Sequence, residues 1–144
     1  MNIDIPETLR LGAKNSFTKT ITEQDVVDFA RISGDDQRVH LDAEHASDTR
    51  FDRRIVHGTI LIGMVSAVLG HVIPGPRHTV IFLGQTCRFL RPAYLGDTVT
   101  VECVVTQVRD DKPVVTLSCT ARNQDGLELM TGEATTYVDP YPYN

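Results

Sequence analysis

At 144 residues, with 41% apolar and 23% charged side chains, the chain has the size and composition of one globular domain, expected over residues 1–144. A net charge of −5 excludes the broad basic face of a general nucleic-acid binder, and no apolar run approaches the ~20 residues of a membrane span. Cys87, Cys103 and Cys119 are odd in number, far apart and without C-x-x-C metal spacing, so they read as buried free thiols of a reducing compartment.

The opening MNIDIPETLRLGAKNSF lacks the basic and apolar stretches of a signal peptide, so the expected location is the cytoplasm. Residues 16–21 alternate apolar and polar and predict a first strand. Thr22 is a good helix N-cap, with Asp25 placed for a capping box, and Ser33-Gly34 closes that helix. Residues 35–40 read as a loop. A short helix follows over 42–49, started by Asp42, and then a charged connector over 50–54. Residues 58–72 (GTILIGMVSAVLGHV) are apolar almost all round, which predicts a helix wrapped by protein on every side and stopped by Pro74-Gly75-Pro76.

Strands make up the rest. Residues 79–90 are apolar in both phases, so both faces are expected to be covered. Residues 98–108 put Val99, Val101, Cys103 and Val105 on one face, and 114–122 do the same with Val115, Leu117, Cys119 and Ala121. A last strand spans 127–138. Tight turns between these strands imply an antiparallel meander, and with one buried helix the fold class is α+β, the sheet curling around the helix.

The chemistry-bearing stretch is Ser33-Gly34-Asp35-Asp36-Gln37-Arg38-Val39-His40, a carboxylate and an imidazole five positions apart after a turn. Spacing of this kind also fits an Asp cap beside an exposed loop His. Gly58 opens the apolar helix; free N–H groups and the positive dipole end lie there, and a residue without a side chain lets a ligand oxygen approach closely. His57 reads as a helix-entry residue with a satisfied imidazole, and His45, His71 and His78 as surface or helix-end residues. Ser66 lies two turns after Gly58 and fits a bond to its own helix backbone. Arg88 and Arg91 suit phosphate, as do Arg53, Arg54 and Arg77.

Three segments together resemble the (R)-specific enoyl-CoA hydratase group of the MaoC-like, hot-dog-fold family. They are FARISGDDQRVHLD, RIVHGTIL and RFLRPAYLGDTVT, in that order, and the likeness spans about residues 16–138. The first resembles the family's SGD-x-Asn-Pro-aliphatic-His motif, with Gln37 and Arg38 standing where Asn and Pro are usual. The resemblance implies a hot-dog fold and reversible addition of water to a trans-2-enoyl-CoA, giving the (R)-3-hydroxyacyl-CoA. It implies Asp35 and His40 as the catalytic pair, Gly58 N–H as the oxyanion donor, and Gln37, Ser66 and His57 in support. Arg88 and Arg91 become candidates for the coenzyme A phosphates. No metal and no cofactor are expected beyond the acyl-CoA substrate, nor any nucleic-acid or membrane partner. Members of this length resemble side-by-side homodimers, and the open edges of a curved sheet call for such cover. Two other readings are a hot-dog thioesterase and a non-catalytic acyl-CoA-binding module. The lack of Asp or Glu in 58–72 counts against the first, and retention of both Asp35 and His40 against the second.

Overall fold

The computed structural model describes residues 3–75 and 77–140. After a 3-10 turn at Glu7–Leu9, strand β1 (Lys14–Thr20) leads into helix α1 (Glu23–Ser33). Thr22 caps α1 reciprocally: its hydroxyl accepts from Asp25 N–H at 3.1 Å, and the Asp25 carboxylate accepts from Thr22 N–H at 2.9 Å. Gly34 ends the helix at φ 82°, a left-handed conformation that glycine adopts without a Cβ penalty. The stretch expected as a loop holds one helical turn, α2 (Arg38–Leu41), followed by α3 (Ala43–Ser47), whose N-cap Asp42 accepts from His45 N–H at 3.0 Å.

Helix α4 (Gly58–Ala67) continues as a π-helical turn over Val68–Val72. Pro76, the last residue of the helix-stopping run, lies outside the described residues. The remaining strands are β2 (His78–Phe89), β3 (Thr98–Val108), β4 (Val114–Arg122) and β5 (Glu128–Pro140). All pairings are antiparallel and the sheet order is β1-β3-β4-β5-β2. The meander therefore holds for β3, β4 and β5 only. β2 passes to the far edge beside β5, and β1 returns to cover β3.

The alternation read in β3 and β4 places the core: Val99, Val101, Cys103, Val105, Val115, Leu117, Cys119 and Ala121 are all buried. They pack against Leu61, Met64, Val65, Val68 and Leu69 of the central helix. Two expectations need correction. Thr59, Gly63, Ser66, Gly70 and His71 form an exposed stripe, so a single chain does not wrap the central helix on every side. β2 is likewise bare along one edge, with Ile81 42% and Leu83 55% exposed. Its apolar residues in both phases mark an uncovered edge strand here, not an interior one.

The sheet closes most tightly at Gly132. An added Cβ there would run into the Thr86 carbonyl oxygen and lie 2.9 Å from Cys87 Cα, both backbone atoms that cannot swing away. Gly132→Ala is therefore expected to destabilise the protein by about 1–3 kcal/mol, the usual cost of overpacking. Urea unfolding with an unchanged midpoint would contradict this.

Candidate functional site

The segment after α1, α2, the 50–57 connector, the start of α4 and the end of β2 converge on a cavity of about 390 Å³. Asp35, His40, His57 and Gly58 line it, together with Arg50, Phe51, Phe89, Leu90 and Arg91. Asp35 follows Gly34 directly and is fixed at the bend, where its Oδ1 accepts from Gln37 N–H at 3.3 Å. Its Oδ2 lies 3.9 Å from His40 Nε2. That is beyond hydrogen-bond range, so both groups keep a lone pair for a third molecule.

Backbone carbonyls set the tautomers of both buried histidines. His40 Nδ1 lies 2.8 Å from the Ile55 carbonyl, which can only accept. Nδ1 therefore carries a proton, and in the neutral imidazole Nε2 is the acceptor that faces Asp35. His57 Nε2 lies 2.9 Å from the Asp35 carbonyl and by the same logic is the donor. The two imidazoles stack at 3.8 Å between ring centroids and 26° between planes, with Phe29 against the outer side of His57 at 4.8 Å. His57 is 1% exposed, and its Nδ1 is buried without a hydrogen-bond partner. Burial is the main reason its pKa is lowered; the nearby His40 adds to that, while the Asp35 carbonyl and carboxylate oppose it. His57 is thus a structural keystone, but its imidazole is only half satisfied, contrary to the simple helix-entry reading.

One ligand atom from each of Asp35, His40 and His57 lies within 4.8 Å of the others. Donors around a single tetrahedral ion at ~2.1 Å sit about 3.4 Å apart, against 3.9 Å between Asp35 Oδ2 and His40 Nε2.

The sequence-derived candidates divide clearly. Asp35, His40, His57, Gly58 and Arg91 meet at the cavity. Gln37 contributes its backbone N–H to Asp35 while its side chain is exposed, so the expected amide contact is replaced by a main-chain one. Ser66 is exposed on the bare stripe of α4 and does not line the cavity, because two helical turns carry it away from the mouth. Arg88 points into a separate depression with Ser118, Thr131 and Glu133, since neighbours along a strand face opposite sides. His45 is half-buried, His71 is exposed, and His78 is drawn in by Asp4 at 3.1 Å. Arg50, Phe51 and Phe89 went unrecognised. An Arg-Phe pair inside a charged connector carries no spacing signal, and the Phe89 ring is placed only by the fold, against Gly58 at the head of α4.

The model of the MaoC-like domain matches residues 8–124. The chain belongs to the MaoC-like family. It is 40% identical over 128 residues to an (R)-specific enoyl-CoA hydratase of Aeromonas caviae, covering 89% of this chain and 94% of that protein. A second (R)-specific enoyl-CoA hydratase, from Rhodospirillum rubrum, is 38% identical over 134 residues, covering 92% and 90%. The solved structure of the R-hydratase PhaJ1 from Pseudomonas aeruginosa superposes with a TM-score of 0.84 at 38% identity, covering 98% of this chain and 92% of that one. The MaoC-like chain has the hot-dog fold.

The buried, neutral His57 gives a pH signature. Its folded pKa lies below the ordinary His value near 6.5, so folding disfavours the proton. Its contribution to stability is intact above about pH 6.5 and is lost as pH falls through that value toward the lower folded pKa. His57→Gln is expected to lose less stability than wild type between pH 7 and pH 5. Parallel pH profiles in denaturant melts would refute this origin.

Proposed function

We infer that this protein is a hydro-lyase that adds water reversibly across the double bond of a trans-2-enoyl-CoA, giving the (R)-3-hydroxyacyl-CoA. The carrying observation is the paired lone pairs of Asp35 and His40 at a cavity that also holds the head of α4. Membership of the MaoC-like family and the likeness to two (R)-specific hydratases support the substrate class and the stereochemistry. Helix α4 carries no carboxylate, which speaks against a thioesterase using an acid there.

In this reading a water sits between Asp35 and His40. His40 Nε2 takes its proton as the oxygen adds to the β-carbon, and the Asp35–His40 pair then gives that proton up to the α-carbon, so that both groups end as they began. Asp35 orients the water and shares the proton. The thioester oxygen gains charge meanwhile and is held by Gly58 N–H, at a helix start where no side chain caps the backbone. The reaction involves no net oxidation or reduction, so the chain's own residues suffice and no cofactor is invoked. Arg91 and the exposed Arg50 at the cavity rim replace Arg88 as the better candidates for the coenzyme A phosphates. Free Cys103 and Cys119 in the core, 3.6 Å apart at sulfur, suit the cytoplasm.

We further propose a homodimer joined along the bare edge of β2. Main-chain donors and acceptors, Ile81 and Leu83 lie along that edge, and the small residues Thr59, Gly63 and Ser66 leave one side of α4 open to close approach by a second copy. Sedimentation at micromolar concentration is expected to give a dimer mass, shifted toward monomer by Leu83→Lys. A wild-type monomer refutes the dimer.

Crotonyl-CoA tests the chemistry. Loss of enoyl absorbance means hydration, free thiol means hydrolysis, and neither means binding alone. Asp35→Asn and His40→Gln are each expected to lower turnover by about 10²–10⁴ with the thermal transition nearly unchanged. Gln37→Ala should stay within about twofold, because its side chain faces solvent. Near wild-type turnover in either of the first two removes that residue from the mechanism.

A further inference from the structure

The imidazole of His40 sits on α2, a single helical turn of four residues. A turn that short is unstable alone, and the carbonyl of His40 has no following turn to satisfy it. A proline at the first residue of such a turn would fix φ there. Arg38 imposes no such limit. Its side chain is exposed and pairs with Asp42 at 3.1 Å.

A different residue supplies the missing constraint. Arg54 Nε donates to the His40 carbonyl at 2.6 Å, and Nη1 of the same guanidinium donates to Glu23 Oε2 at 2.6 Å. The Arg54 side chain is only 14% exposed. One rigid planar fork thus ties the turn carrying His40 to the first turn of α1. The next residue continues the seam: Ile55 N–H donates to the Val39 carbonyl at 3.2 Å, and the Ile55 carbonyl accepts from His40 Nδ1 at 2.8 Å.

We propose that Arg54 is a positioning residue for His40, holding the short turn that carries the imidazole through the carbonyl of His40 itself. The proposal rests on the hydratase reading for what His40 does, and on geometry alone for how it is held. A proline introduced at position 38 would follow Gln37, whose ψ of 139° lies in the range that a residue before proline takes.

The test is a cycle of variants assayed with crotonyl-CoA. Arg54→Met keeps the aliphatic stem and removes the fork. It is expected to lower kcat about ten- to a hundredfold, the scale of a small misplacement of a reacting group, with KM within about twofold. Arg38→Pro alone should leave kcat within about twofold. Added to Arg54→Met, it should recover at least about threefold, a coupling that a purely structural role for Arg54 would not produce. Wild-type kcat in Arg54→Met, or a deficit that Arg38→Pro leaves unchanged, overturns the proposal. If Arg54→Met does not fold, Glu23→Gln at its exposed site replaces it. That variant should lose about two- to fivefold in kcat, again recovered by Arg38→Pro, and an unchanged kcat overturns the proposal. The NMR signals of the His40 ring separate the two readings. They should broaden in Arg54→Met and sharpen in the double variant even if the wild-type protein hydrates nothing. Sharp, unshifted signals in Arg54→Met overturn the brace, whereas an inactive wild type overturns only the hydratase reading.

Discussion

Ile55 is gripped from both sides, and the site depends on that grip. On one side its N–H and carbonyl engage Val39 and His40; on the other it bridges to Tyr94, and the next residue, Val56, donates its N–H to the Ala93 carbonyl at 2.8 Å. The turn that receives them is itself fixed. Gly96 takes φ 93°, and the nearly buried Asp97 accepts from Tyr94 N–H at 2.9 Å and from the Gln124 amide at 3.1 Å. The connector therefore arrives at His57, the N-cap of α4, with little freedom. The three sequence segments that mark the family are thus the three parties to one seam: the Asp-His stretch, the connector into α4, and the turn before β3.

The same backbone carbonyls that hold the seam decide the protonation pattern. Ile55 and Asp35 each present a carbonyl to one imidazole nitrogen, which makes that nitrogen the donor and leaves the other a bare lone pair. Two stacked imidazoles would repel if both were charged, and burial holds His57 neutral. His57 can then steady both neighbours at once, touching His40 through its face and the Asp35 main chain through its edge.

Much of this was readable from residue pattern alone. The Thr22–Asp25 cap, the left-handed Gly34 and the buried phase of β3 and β4 follow from local chemistry, which needs no knowledge of distant partners. What the pattern could not convey was long-range. The neighbour of β2 is set by a crossover, so an apolar run fits an interior strand and an edge strand equally well. Ser66 and Arg88 have the right chemistry, but the rotation of a helix and the pleat of a strand aim them elsewhere. The guanidinium of Arg54 looked like one of several phosphate candidates, because nothing in a string of residues shows that a side chain turns inward to meet a carbonyl.

The departure at Gln37 and Arg38 follows from the same distinction between side chain and main chain. Asp35 is held by the Gln37 N–H, a donor that every residue except proline carries, so the length of the amide side chain is immaterial to that bond. Position 38 is different, because a proline there acts by restricting φ and no other side chain does so. Residue 37 can therefore change without loss of that bond, whereas a turn without a proline at its first position takes its restraint from elsewhere in the fold. The buried fork of Arg54 between the His40 carbonyl and Glu23 is a restraint of that kind.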